Sequence, residues 1–192
     1  MGKVGIFGGT FDPIHHGHLI TTRAVYEKSK LEKIIFVPCH ISPHKLDVKS
    51  TQSTHRMNMV RLAIENSSHF ECSDVEIKKE EVSYTIDTLR YFNEFYSDLV
   101  LIIGYDNVAE FDTWKDPDGI IELAEIVILK RNTDKSTDSI SPCLEKAKFI
   151  ETPAIDISAS EIRDRVRKNL PIDYLVPQSV KEYIYKLGLY KD

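Results

Sequence analysis

Residues 4–18, with the sequence VGIFGGTFDPIHHGH, limit what this chain can fold into more than any other stretch. The apolar run Val4–Phe7 predicts a short buried strand. Gly8 and Gly9 follow it, and because neither carries a Cβ they allow the backbone to turn sharply and to approach a ligand closely. From His18 onward the spacing of apolar residues becomes helical. Strand, glycine turn and helix in this order predict an α/β unit with a ligand at the helix start.

Two histidines, His15 and His18, stand at the predicted start of this helix, with Gly17 between them removing side-chain bulk. A helix N-terminus offers free N–H groups and the positive end of a dipole, which suit a phosphate. A metal site would require further Cys, His or carboxylate ligands at short spacing, and none lies nearby. Histidine pairs are often ordinary surface or core residues, but the whole combination is far more specific. We interpret it as a phosphate-binding site.

The rest of the chain alternates between strand-like and helix-like segments. Further strand-like apolar runs occupy residues 33–37, 99–103, 126–129 and 148–151. The run at 99–103 is apolar throughout, as expected of a central parallel strand covered on both faces. The alternation predicts one domain over residues 1–192, with a three-layer, Rossmann-like α/β fold and a mainly parallel sheet. Ligands of such sheets bind beyond the C-terminal ends of the strands, where the candidate residues follow.

Several segments give weaker signals. Residues 38–53 and 131–141 lack periodicity and are predicted to be loops. Residues 70–75 alternate and predict a strand, residues 76–82 are charged and predicted to be exposed, and residues 107–114 look helical.

Composition excludes several classes of function. The formal net charge of −5 argues against a general nucleic-acid binder. Cys39, Cys72 and Cys143 are odd in number and far apart, so they predict neither a disulfide framework nor a zinc site, but a reducing compartment. The sequence enters a strand without a secretory segment, and no apolar run approaches the ~20 residues of a membrane span. We therefore expect a cytoplasmic protein without membrane or nucleic-acid partners.

Two further segments carry candidate phosphate-binding groups. Lys45, in the loop after the second strand, could act as a movable point charge on a phosphate, although a lone lysine there would be an ordinary solvated residue. Ser158 is a good N-cap and forms a capping box with Glu161. Capping does not explain Ser160 and Arg163, which stand one turn apart. At a helix start these two could bind a triphosphate together.

The His-x-Gly-His spacing of residues 15–18 matches the signature of the nucleotidyltransferase superfamily, and with Gly-Gly-Thr-Phe-Asp-Pro before it the chain resembles the nicotinate mononucleotide adenylyltransferases. Residues 157–163 are similar to the second signature of that family, Ile-Ser-x-Ser/Thr-x-Ile-Arg. Ser42-Pro43-His44-Lys45 is similar to its Pro-Pro-His-Lys, with Ser42 in place of the first proline. The resemblance runs from Lys3 to about Tyr190.

This resemblance implies a nucleotidyltransferase fold in which a C-terminal helical part, about residues 158–192, completes the ATP site. It implies transfer of the adenylyl group of ATP to nicotinate mononucleotide, with Mg²⁺ arriving on ATP and His15 and His18 as catalytic groups. The implied ATP-binding residues are Gly8, Gly9, Thr10, Phe11, His15, His18, Lys45, Asp106, Ile157, Ser158, Ser160 and Arg163. The implied mononucleotide-binding residues are Thr10, Lys45, Ser83, Tyr84, Thr85, Gly104, Asp106 and Trp114, the only tryptophan, which would stack on the pyridine ring.

Other functions stay open at this point. The same scaffold could use nicotinamide mononucleotide or another acceptor such as phosphopantetheine, although the latter leaves Trp114 without a role. An aminoacyl-tRNA synthetase fragment shares His-x-Gly-His but is disfavoured by the short, acidic chain. A nucleotide-sensing module that binds without turnover is disfavoured because both histidines are present. The sequence leaves the state of oligomerisation open, with a homo-oligomer possible.

Overall fold

The computed structural model describes residues 2–43, 50–131 and 141–191. Its strands are β1 (Val4–Gly9), β2 (Lys33–Pro38), β3 (Phe70–Cys72), β4 (Leu99–Gly104), β5 (Ala124–Arg131) and β6 (Lys148–Thr152). Its α-helices are α1 (His16–Lys28), α2 (Ser53–Ile64), α3 (Val75–Lys79), α4 (Thr85–Asn93), α5 (Pro117–Leu123), α6 (Ala159–Arg167) and α7 (Gln178–Leu187). Short 3₁₀ turns occupy Tyr105–Asn107, Phe111–Thr113 and Pro142–Leu144.

Within the described ranges, six strands form one sheet in the order β3-β2-β1-β4-β5-β6. Every neighbouring pair is parallel. The Rossmann-like α/β fold with a parallel sheet is therefore confirmed. The strand order reverses between β1 and β4, and in sheets of this kind a crevice for ligands opens beyond the strand ends at that point.

Alternate residues of the central strands pack on opposite faces of the sheet. Val100 and Ile102 of β4 join one apolar core with residues of α1, α2, α6 and α7. Leu101 and Ile103 join a second core with residues of α4 and α5. Because both faces of β4 are covered, its continuously apolar sequence is explained and three layers result. The C-terminal helices pack in the first core together with Phe7 of β1.

The turn after β1 differs from the sequence prediction. Gly8 and Gly9 belong to the strand, paired with Val37 and Pro38. The chain turns later, at Phe11, which has a positive φ of 49°, and at Asp12–Pro13, whose peptide bond is cis. Helix α1 then begins at His16 rather than at His18. The glycines therefore provide room rather than the turn itself.

Three other predictions need correction. Residues 76–82 were expected to be exposed, but α3 covers the first of them and Glu76 is buried. The strand expected over residues 70–75 ends at Cys72. The helix expected over residues 107–114 is reduced to the short turns Tyr105–Asn107 and Phe111–Thr113. These segments are too short to show a clear period in the sequence. None of the helices in the described residues is long and apolar enough to cross a membrane.

Candidate active site

A cavity of about 670 Å³ opens at the C-terminal ends of β1 and β4. Its volume lies in the range of roughly 300–1,000 Å³ that is typical of small-molecule sites. The sequence-predicted residues that line it are Gly8, Gly9, Thr10, Phe11, His15, His18, Ser83, Tyr84, Thr85, Gly104, Asp106, Trp114, Ile157 and Ser158. Ser160 and Arg163 are not among its lining residues. Lys45 lies outside the described residues, so its role remains a prediction from the sequence.

The two glycines at the end of β1 create different kinds of space. A Cβ on Gly9 would lie 2.8 Å from the ring of Phe11, so a side chain there would displace that ring. A Cβ on Gly8 would meet no atom of the described residues, other than its chain neighbours, within 4 Å. The Phe11 ring is itself fixed by edge-on packing against Phe7, with ring centroids 5.6 Å apart. Gly9 therefore serves packing, whereas Gly8 leaves the cavity open beside the backbone.

His15 and His18 are stacked at the start of α1. Their ring centroids are 3.7 Å apart, and the main-chain N–H of His15 donates to Nδ1 of His18 at 3.3 Å. A Cβ on Gly17 would lie 2.9 Å from Nδ1 of His15, which confirms that glycine removes bulk between them. Both rings line the cavity. The structure thus brings the two histidines together at a helix N-terminus, as the sequence predicted.

Both histidines are neutral at neutral pH in this structure. Burial lowers the pKa of His15 to about 4, and the neighbouring His16 acts in the same direction. Burial, together with the nearby His15, lowers the pKa of His18 well below its usual range. Nδ1 of His15 is buried and has no hydrogen-bond partner in the described part of the chain. A bound phosphate beside these rings would favour their protonated forms, because an opposite charge favours the charged state.

Asp12, in the loop before the histidines, is hydrogen-bonded to three segments that are distant from it in the sequence. Its Oδ1 accepts a hydrogen bond from the Tyr190 hydroxyl at 2.7 Å, and its Oδ2 accepts one from the Thr51 main-chain N–H at 3.0 Å. Its main-chain oxygen accepts a hydrogen bond from Nη1 of Arg163 at 2.7 Å. Arg163, which was predicted to contact a phosphate, therefore stabilises the loop after β1 in this structure. The role of Asp12 was missed because its partners lie far away in the sequence.

Arg56 fixes the same region from α2. Its guanidinium is 1% exposed and donates to the main-chain oxygens of Thr10, His40 and Thr51 at 2.7, 2.9 and 2.9 Å. A buried guanidinium is tolerated only when its N–H groups are hydrogen-bonded, and here they hold three backbone segments together. The part that Arg56 plays in positioning Thr10 is seen only in the structure, because the two residues are far apart in the sequence.

Trp114 and Tyr84 also line the cavity. Trp114 is half-buried and packs on Phe111, with ring centroids 5.3 Å apart. Tyr84 is the N-cap residue of α4. Nζ of Lys115 lies 4.5 Å above the Tyr84 ring and 3.0 Å from the Asp87 carboxylate. These contacts place Trp114 and the segment Ser83–Thr85 around one end of the cavity.

The start of α6 also lines the cavity. Ser158 is the N-cap of this helix, and its hydroxyl accepts a hydrogen bond from the Glu161 main-chain N–H at 3.1 Å, which is one of the two hydrogen bonds of the predicted capping box. The hydroxyls of Ser158 and Ser160 are also 3.1 Å apart. Across the described residues, no group of three His, Cys, Asp or Glu side chains is placed to hold a metal ion.

Comparison with known proteins agrees with this geometry. The model of the cytidylyltransferase-like family matches residues 6–165. A probable nicotinate-nucleotide adenylyltransferase of Dictyoglomus turgidum is 41% identical, with 98% of this chain and 95% of the relative covered. One of the same name from Caldicellulosiruptor saccharolyticus is 42% identical, with 99% of this chain and 100% of the relative covered. The structure of Plasmodium falciparum nicotinic acid mononucleotide adenylyltransferase complexed with NaAD superimposes with a TM-score of 0.77 at 24% identity, covering 99% and 98% of the two chains.

Proposed function

The chain belongs to the cytidylyltransferase-like family, among the nicotinate-nucleotide adenylyltransferases, and we propose that it joins ATP and nicotinate mononucleotide into deamido-NAD and pyrophosphate. The observation that carries this proposal is that His15, His18 and Trp114 all line the same cavity. A nucleotide phosphate and a pyridine ring each find a suitable partner there.

The reaction needs positioning more than covalent chemistry. An oxygen of the mononucleotide 5′-phosphate attacks the α-phosphorus of ATP, a new P–O bond forms, and the bond to the β-phosphate oxygen breaks with release of pyrophosphate. A phosphate is already a nucleophile, so no enzyme-bound intermediate is required. His15 and His18, which would take up protons from solvent when the anionic phosphates bind, donate hydrogen bonds to the reacting phosphates and stabilise the negative charge that develops there. Catalysis then consists of orientation and charge stabilisation.

The leaving pyrophosphate is assigned to groups beyond the histidines. Ser158 and Ser160 offer hydroxyls at the N-terminus of α6, where free N–H groups favour an anion. Lys45 and Arg163 would add positive charge, the latter from its place beside Asp12. Mg²⁺ is proposed to arrive on the ATP phosphates, because Mg²⁺ is commonly held by substrate phosphates with few protein ligands. Bound in this way, the ion would neutralise phosphate charge.

The mononucleotide is assigned to the opposite end. Trp114 would stack on the pyridine ring, and Asp106 after β4 would accept hydrogen bonds from a ribose. The main-chain N–H groups of Tyr84 and Thr85 could donate to the two oxygens of the nicotinate carboxylate. That of Ser83 already donates to the oxygen of Ile41. The amide of nicotinamide mononucleotide would oppose one of these donors with its own N–H₂, and an unpaired buried donor costs ~1–3 kcal/mol.

Side-by-side assays of the two mononucleotides with ATP and Mg²⁺ test this assignment. We expect nicotinate mononucleotide to be preferred roughly ten- to hundredfold in kcat/KM, the equivalent of one mismatched contact. Equal use of both would overturn the substrate assignment but leave adenylyl transfer intact. Binding without pyrophosphate release would instead favour a nucleotide-sensing module.

The organisation and location of the protein complete the proposal. We propose that residues 1–192 act as one domain, supported by the packing of α6 and α7 into the same core as β1. The part from about residue 158 onward then completes the ATP site through Ser158 and Arg163. A cytoplasmic location would fit a reaction that consumes ATP, and cell fractionation would test it.

A further inference from the structure

Glu76 is a buried carboxyl group on the wall of the cavity, and neither the phosphate end nor the aromatic end accounts for it. It lies in α3 and is 8% exposed. The hydroxyl of Thr88, which is 3% exposed, donates to its Oε1 at 2.5 Å. The Ser83 hydroxyl is near enough to this carboxyl group to act on it and lower its pKa. Glu76 is therefore hydrogen-bonded to α4 through Thr88 and lies close to the segment that precedes this helix.

Ser83 extends these contacts to the chain after β2. Its hydroxyl accepts a hydrogen bond from the main-chain N–H of His40 at 2.9 Å, and its own N–H donates to the oxygen of Ile41 at 2.9 Å. Ile41 and Val82 also form a parallel bridge. Because a hydroxyl can donate and accept at once, Ser83 can bond both Glu76 and His40.

The charge of this carboxyl group is balanced by its surroundings. Burial raises the pKa of Glu76, whereas hydrogen bonds from Thr88 and Ser83 and the positive charges of Lys79 and Arg56 act in the opposite direction. A buried carboxyl group is costly unless it is hydrogen-bonded. Its two oxygens allow it to accept from both hydroxyls, which an apolar side chain of the same size could not do.

We propose that Glu76 is a positioning residue of the mononucleotide site, which holds Ser83 and Thr88 so that the intervening Tyr84 and Thr85 stay in the place that the pyridine ring requires. The proposal rests on the function proposed above. Tyr84 and Thr85 line the cavity together with Trp114. Of the residues on either side of them, Thr88 is hydrogen-bonded to Glu76 and Ser83 lies near its carboxyl group. When the segments of a site are ordered before the ligand binds, no binding free energy is lost in ordering them.

Three variants isolate this effect. Glu76→Gln keeps the size of the side chain but replaces one acceptor oxygen with a donor. Thr88→Val removes the hydroxyl on the other side of the contact while keeping its shape. Glu80→Gln, at the exposed C-terminal end of the same helix, is the matched control. We expect each of the first two to raise the Kd for nicotinate mononucleotide about tenfold, as expected for one unsatisfied buried group, and the control to change nothing.

Because Trp114 is the only tryptophan, its fluorescence reports mononucleotide binding without turnover. Titration of the full-length protein and its variants with nicotinate mononucleotide gives Kd, and steady-state assays give the KM for ATP and kcat. A raised Kd for the mononucleotide with an unchanged KM for ATP supports the proposal. An unchanged Kd in Glu76→Gln and Thr88→Val overturns it, as does an equal loss for both substrates, which would indicate a general structural role.

The wild-type protein separates this proposal from the function on which it rests. If the wild type binds nicotinate mononucleotide and releases pyrophosphate but Glu76→Gln behaves like it, only the role of Glu76 is wrong. If the wild type neither quenches Trp114 fluorescence nor releases pyrophosphate with this substrate, the proposed function fails and the role of Glu76 fails with it.

Discussion

The burial of His15 leads to a prediction about the stability of the protein that can be tested without substrate. The pKa of its imidazole is lowered to about 4 in the folded protein, against an ordinary value of 6.5. Between these two values the unfolded chain binds more protons than the folded one, so stability falls as the pH falls. The full difference corresponds to about 3 kcal/mol, and about 2 kcal/mol of it is lost between about pH 7.5 and pH 5.

His15→Gln tests this directly, because the variant lacks the titrating group. Urea unfolding at both pH values gives the change in the free energy of unfolding for each protein. The carboxyl groups contribute to the pH dependence of both proteins alike. On acidification, the free energy of unfolding of the variant is therefore expected to fall by about 2 kcal/mol less than that of the wild type. His55→Gln in α2, where the imidazole contacts Tyr183 outside the cavity, controls for removing a histidine. An equal loss of stability in wild type and His15→Gln would refute the role of burial.

Three further results are expected. His18→Ala should lower kcat by ~10²–10³, the scale for one charge-stabilising group, with unchanged circular dichroism; near-normal pyrophosphate release would remove its assigned role. Tyr190→Phe should lower the free energy of unfolding by ~1–3 kcal/mol in urea, because the Asp12 carboxylate loses a buried partner; no change would mean that water replaces the hydroxyl. Trp114→Ala should raise KM for both mononucleotides alike, by roughly ten- to hundredfold, because stacking does not sense the carboxylate; a loss confined to one of them would contradict stacking.

The parts of the fold that were predictable are those encoded locally. The apolar run of β4 indicated a strand covered on both faces, and Ser158 and Glu161 indicated a helix start. The spacing of His15 and His18 indicated that the two rings lie together at one helix start, because residues three apart are neighbours on a helix. Their role in binding phosphate stays a prediction. In each case the signal lies within a few neighbouring residues.

The parts that were not predictable depend on distant contacts. A positive φ at Phe11 is unfavourable for a bulky residue and is imposed by packing of its ring against β1, β2 and His18. Glu76 looks like a surface residue in a charged stretch, and only the hydroxyl of Thr88 shows why it is buried. Asp12 finds its partners at residues 51, 163 and 190. No local pattern records these pairings.

The charges around the cavity lead to one more expectation. Among its described lining residues, Lys115 is the basic side chain, whereas Glu76, Asp106 and Glu110 are acidic. Lys115 is moreover paired with Asp87. The walls therefore bring little positive charge to a triphosphate, and helix N-termini contribute only partial charges. Under the proposed function, the rest would come from Mg²⁺, from Arg163 and the sequence-predicted Lys45, and from protons taken up by the histidines.

Proton uptake on ATP binding follows from this balance. His15 and His18 begin neutral because burial lowers the pKa of each, and phosphate oxygens beside them raise it again. Below about pH 7, binding of ATP with Mg²⁺ should therefore draw protons from the buffer. Calorimetric titrations with ATP and Mg²⁺ in buffers of different ionisation enthalpy measure the number of protons taken up on binding. The double variant His15→Gln/His18→Gln should lose this proton uptake. If the heat of binding to the wild type does not depend on the buffer, the histidines stay neutral and act only as hydrogen-bond donors.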